Sequence, residues 1–197
     1  MNIFVLDKDP VVAASMMCNK HVVKMILECG QMLCTAHWLA YLDGENGRPV
    51  LEDFKRVKDA QEWLRDYVTE ENQPPWKMSH VRHPCTKWTA SSMSNYLWLL
   101  EPMRGLLDEY TKRYQKKHKS ESVYSWLSKT FPMNAFSADL PMTPHPLCVP
   151  DEIKAFTDDP VQAYRTYYVT HKAKIAKWEP HAKPPSWWPK EKQDAKA

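Results

Sequence analysis

Four polar side chains at helical spacing carry the clearest chemistry in this chain: His21, Lys24, Glu28 and Gln31, separated by three, four and three positions. On a helix these steps place all four on one face. Val22, Val23, Ile26, Leu27 and Leu33 supply apolar groups around the rest of the circumference, so the helix is expected to be central, with a polar stripe that either faces a cleft or is buried. A buried charge must be paired, and an amine beside a carboxylate in a poorly solvated setting is one way for a lysine to become a base or nucleophile. On that reading Lys24 is the nucleophile or base, Glu28 its charge partner, and His21 an acid. The plainer reading is a solvated stripe in which Lys24 and Glu28 form an ordinary i,i+4 ion pair.

A second constellation begins at His80 and runs through Arg82, His83, Pro84, Cys85 and Thr86 to Trp88, Ser91, Ser92, Asn95, Tyr96 and Trp98. Pro84 predicts a helix start, which would gather His83 and the free N–H groups of the first turn into a site for an anion such as phosphate. Further along, Trp88, Ser92 and Asn95 share a face and offer a flat apolar surface beside hydrogen-bonding groups, a combination that can hold a nucleobase. Gln31, Arg82 and Thr86 complete the candidate substrate-binding set. Aromatic stripes at helical spacing are also what a core is made of, so Trp88 and its neighbours equally fit a packing role.

The pairs Cys18-x-x-His21 and His80-x-x-His83 provide four possible metal ligands, but neither sits in a recognisable metal-binding loop. No metal is assigned on that basis, and the need for a cofactor stays open. Basic charge is concentrated in residues 112–119 and again beyond Lys172, although the net charge is only +3. Lys112, Arg113, Lys116 and Lys117, interleaved with Tyr110 and Tyr114, could follow a phosphate backbone or simply solvate a helix end.

The elements that must position these groups read as helices. Asp9-Pro10 and Asp159-Pro160 are helix starts, because Asp caps free N–H groups and Pro fits the first helical position. A short apolar strand at residues 3–6 leads into one or two helices over 10–42, then an amphipathic helix over 51–70 with Val57, Phe54, Trp63, Leu64 and Tyr67 available for packing. A long helix is expected over 85–115, broken or kinked near Pro102, followed by a short helix at 120–129, an extended stretch at 131–150 and a last helix over 159–178. The expected fold is mainly α: a single-domain helical bundle of residues 1–178 with long proline-rich loops and at most one strand, followed by a Trp-, Pro- and Lys-rich tail over 179–197. Trp187 and Trp188 of the tail either fold back onto the domain or meet a partner.

Composition narrows the classes. The chain has 197 residues, 43% of them hydrophobic and 26% charged, as in a globular protein. Four glycines leave no glycine-rich phosphate loop. Five cysteines without C-x-x-C spacing argue against a disulfide framework and for reduced thiols in a cytoplasm. Apolar runs are too short to cross a bilayer, and no signal peptide is expected, so no membrane association is expected.

Several segments together carry a resemblance: residues 18–25 (Cys18 to Met25), Glu28 with Gln31, Met32 and Leu33, His83-Pro84-Cys85-Thr86 with Trp88, Ser94-Asn95-Tyr96 with Trp98, and Asp159-Pro160 with Ala163, Tyr164, Arg165, Tyr167 and Tyr168. Over most of its length the chain resembles a family of small, mostly uncharacterised proteins of tailed bacteriophages, with Asn19 where an acidic residue is expected. The resemblance implies a phage origin and a bacterial host cytoplasm. Phages often carry enzymes of nucleotide metabolism, and by that analogy the expected activity is on a nucleobase or nucleotide, most plausibly in DNA, by a glycosylase-like or base-modifying transferase reaction. Lys24, Glu28, His21 and His83 are its candidate catalytic residues. The alternative is a non-catalytic factor that binds nucleic acid or a host protein.

Overall fold

In a computed structural model, which describes residues 1–131 and 140–189, the fold is mainly α. Among the described residues there are eight α-helices and no sheet; a lone bridge pairs Asp43 with Val50. Helix α1 (Pro10–Met16) begins at the Asp9 cap, whose carboxylate accepts from the N–H groups of Val11 and Val12, and the chain breaks at Met17 before α2 (Asn19–Leu39). Asp159 caps α8 (Pro160–His171) in the same way, through Val161 and Gln162. In both cases the aspartate satisfies N–H groups that a helix leaves free at its start.

The remaining elements depart from the sequence expectation where distant contacts intervene. The segment over 51–70 divides into a 3-10 turn at Leu51–Asp53 and helix α3 (Val57–Tyr67), which packs Leu64 and Ala60 against Trp38 and Leu42 in a small second core. The long helix does not break at Pro102. It breaks at Ser91 and Ser92, between α4 (Pro84–Ala90) and α5 (Met93–Tyr114), because the Ser92 hydroxyl accepts from the Asn95 N–H and starts a new helix. Helix α5 runs on through Pro102, which lacks only the one N–H that the ladder would have used. Helix α6 (Glu121–Leu127) falls inside the expected segment, α7 (Asp151–Phe156) was not foreseen, and α8 stops at His171 rather than extending to residue 178.

The main core lies between α2, α5, α8 and the chain start. Helices α1 and α5 approach so closely that a Cβ on Gly105 would stand 3.0 Å from the Ala14 Cβ, so glycine at 105 sets their separation. Residues 3–6 are buried yet form no strand: the Leu6 N–H turns back to the Phe4 carbonyl at 3.0 Å. Phe4 stacks on His21 and meets Tyr164 and Tyr168 edge-on, while the Leu6 carbonyl accepts from Arg165, so side chains of α2 and α8 replace the partner strands that such an apolar run normally requires. Trp178 and Trp188 are buried against each other, and Trp187 reaches Met16 and Tyr168; the aromatic part of the tail is therefore folded onto the body up to residue 189. No helix among the described residues is long and apolar enough to cross a membrane.

Candidate functional site

The stripe on α2 is covered by the chain start, and this separates its members by depth. Glu28 is buried: its Oε2 accepts from the Asn2 backbone N–H at 3.1 Å and lies 3.8 Å from the Met1 amine, while its Oε1 meets Lys24 Nζ at 2.9 Å. The Lys24 side chain is 59% exposed against 9% for Glu28, so a buried carboxylate holds an amine that faces solvent. His83 stands close enough for the charges of Glu28 and the Met1 amine to act on it, and burial, followed by the amine's and His80's positive charge, lowers its pKa. Lys24, Glu28 and His83 thus share one neighbourhood with the chain start.

His21 does not join them. It is buried, with Nδ1 bonded to the Tyr168 hydroxyl and its ring stacked on Phe4. Burial, reinforced by the positive charges of Lys172, Lys24 and Lys20, lowers its pKa to about 3, which makes it a neutral packing residue rather than an acid. Gln31 is half-buried, and Arg82 is exposed.

The expected base-holding surface is occupied by the protein itself. Trp88 donates to the Thr143 carbonyl and packs face to face with His145. Ser92 is a helix cap. Asn95, wholly buried, turns its two amide hydrogens to three acceptors, the Trp88 carbonyl, Ser91 Oγ and Thr143 Oγ1, and accepts from the Thr143 N–H. Its amide is committed to internal partners, leaving nothing for a ligand. Thr86 is buried with its hydroxyl against Met1 Sδ. These residues clamp the extended segment near 143–148 onto α4 and α5.

The basic segment is similarly divided. Arg113 is fully buried, bonding Glu109, the carbonyls of Met17 and Ser15, and Asn19 Oδ1, so it ties α5 to the α1–α2 junction and cannot meet a phosphate. Lys112 and Lys117 are exposed and pair with Glu109 and Glu121; Lys116 and Lys119 are exposed. Lys20, Lys24 and Lys172 lie around His21, Asn19 bonds the Lys177 carbonyl, and the His118 ring reaches the Val23 backbone. Two lysine-bearing segments, around His118 and around Lys172 to Lys177, thus touch α2 near its start.

Cys85 and Cys148, neither of which the sequence spacing marks as a metal ligand, complete another cluster. Among the described residues, His83, Cys85 and Cys148 bring one donor atom each to within 4.8 Å of one another. The two sulfurs are 3.5 Å apart. Hydrogen bonding from Cys85 draws the Cys148 thiol down to about 7 and pushes Cys85 up. His83-x-Cys85 was visible in the sequence, but Cys148 lies 63 positions further on and arrives only because Asn2 and Tyr164 bind its backbone. The pairs Cys18/His21 and His80/His83 do not form one donor group: Cys18 and His21 sit with Tyr168, whereas His83 is grouped with Cys85 and Cys148.

Two clefts lie elsewhere: one of about 270 Å³ between Gln61, Arg65 and Lys77, and one of about 550 Å³ lined by Trp98, Leu97, Tyr124, Phe131 and Met142. No protein-family model, no curated protein and no solved structure matches the chain.

Proposed function

We propose that this protein acts on a nucleotide unit of a DNA strand, as a glycosylase-like enzyme that uses an amine beside Glu28. The observation that carries this reading is the Lys24–Glu28 pair, in which a buried carboxylate presents an amine outward at 2.9 Å. Lysine amines attack electron-poor carbon when an adjacent group takes their proton, and Glu28 is placed to take it. The nitrogen bonds to C1′ of the sugar as the bond from C1′ to the base breaks; the electron pair leaves on the base, which takes a proton. The amine's shed proton passes to Glu28. The nitrogen lone pair then forms a C=N bond as the C1′–O4′ bond opens onto a protonated O4′, and water hydrolyses the adduct.

Lys20 and Lys172 near His21, with the exposed Lys116 and Lys119 on the segment whose His118 reaches Val23, supply positive charge of the kind a phosphate backbone attracts. The resemblance to tailed-phage proteins supports a bacterial cytoplasm as the setting.

The test is borohydride trapping on oligonucleotides carrying damaged bases or abasic sites. A covalent adduct whose cross-linked peptide contains Lys24, lost in Lys24→Met and in Glu28→Gln, is expected. Salt-sensitive binding without any adduct or base release, unchanged in Lys24→Met and Glu28→Gln, would overturn the catalytic reading in favour of a non-catalytic binding factor.

A further inference from the structure

We infer that His83, Cys85 and Cys148 form a binding site for a thiophilic divalent ion of the zinc type, held by one imidazole nitrogen and two thiolates with a fourth position left to solvent. The argument is independent of the reaction at Lys24 and Glu28.

The donor set is the first support. Two sulfurs and an imidazole suit zinc and its borderline neighbours, whereas magnesium and calcium need oxygen cages. Distance is the second. Bonds of about 2.3 Å at a tetrahedral centre put two thiolates roughly 3.8 Å apart, and Cys85 and Cys148 already stand at 3.5 Å, with the His83 donor inside the same 4.8 Å group. Little movement is required to close three donors on one ion.

The surroundings are the third support, because each ligand is fixed from behind. His83 caps α4 and Pro84 begins it, which holds Cys85 in the first turn. On the opposite side, Asn2 Nδ2 donates to the Cys148 carbonyl and the Cys148 N–H donates to the Tyr164 hydroxyl, whose single O–H has Asn2 Oδ1 and the Pro146 carbonyl within reach at 2.7 and 2.8 Å. Such outer bonds orient metal ligands and keep a three-donor site from collapsing. Cys18, Cys29 and Cys34 are buried elsewhere and offer internal controls.

The experiment measures zinc per chain after purification without chelator and after dialysis with added zinc, alongside cobalt substitution read by its thiolate charge-transfer absorption. One ion per chain is expected, with the absorption lost in Cys148→Ser and Cys85→Ser and kept in Cys34→Ser. Cys148 is half-buried on an extended segment, so its serine variant, checked for native helicity by circular dichroism, separates ligand loss from misfolding. Zero stoichiometry, binding that survives Cys148→Ser, or a Cys85–Cys148 disulfide in anaerobically purified protein would each overturn the site.

Discussion

Asn95 and Thr143, 48 positions apart, hold each other through two hydrogen bonds: the Asn95 amide donates to the threonine hydroxyl at 2.8 Å and its carbonyl accepts from the threonine N–H at 3.0 Å. This pair fastens an extended segment to the start of α5. Replacing Asn95 with alanine leaves the Thr143 N–H and hydroxyl short of partners, while the Trp88 carbonyl keeps Ser91, and should cost about 2 kcal/mol. Urea denaturation measures the loss, and hydrogen exchange should show the Thr143 amide opening ahead of the helices.

Arg113 and Lys116 look alike in the sequence and should behave oppositely. Removing the buried guanidinium in Arg113→Met takes from Glu109 its buried partner, leaving it only the exposed Lys112, and strips three further acceptors of a donor, at about 3 kcal/mol. Lys116→Met should stay within about 0.5 kcal/mol. If the outer face of α2 meets a phosphate backbone, the lysine variant alone should reduce the salt dependence of DNA binding while leaving thermal unfolding unchanged.

That contrast marks what could be read in advance. The caps at Asp9 and Asp159 were legible because a helix start is decided by its own few residues. The α2 stripe was legible as a face, since spacing alone determines it, but not as a series of depths, since the chain start that buries His21 and Glu28 and spares Lys24 comes from outside the helix. Residues 3–6 look like a strand because a buried apolar run has the same composition whether it pairs with strands or, as here, turns within a bed of helices. Pro102 looked like the break because proline is conspicuous; the Ser92 cap that actually divides the helix is a quieter signal.

Acid should loosen the protein through its histidines. His21 has a pKa lowered to about 3, and His37 and His145 to about 4, in each case first by burial. In the unfolded chain all three bind protons near their ordinary value of 6.5, so below that pH the unfolded state takes up protons that the folded state refuses. Stability is complete above about pH 6.5 and falls as pH drops towards 4, by up to about 1.4 kcal/mol per pH unit for each histidine. Denaturant midpoints between pH 7 and pH 4.5 should show the decline, and His21→Gln should make it shallower.

Glu28→Gln offers a further separation. The glutamine carbonyl can still accept from the Asn2 N–H, and the lost attraction to Lys24 is weakened by solvent, so stability should fall by only about 1–2 kcal/mol. Adduct formation should fall at least about 100-fold if the carboxylate takes the amine's proton. Comparable losses in folding and in trapping would mean that the carboxylate serves only to hold the chain start.

The threading of residues 3–6 between α2 and α8 also governs how the protein can be made. Phe4 and Asn2 find their partners on Tyr164, and Met16 and Asn19 find theirs on Trp178 and Lys177, each about 160 positions later. Residues 2–6 therefore gain their cover only when a segment about 160 positions further along the chain has found its place. Contacts of such long sequence separation cost loop-closure entropy before they stabilise anything, which slows folding and leaves this apolar run open to aggregation in the interval.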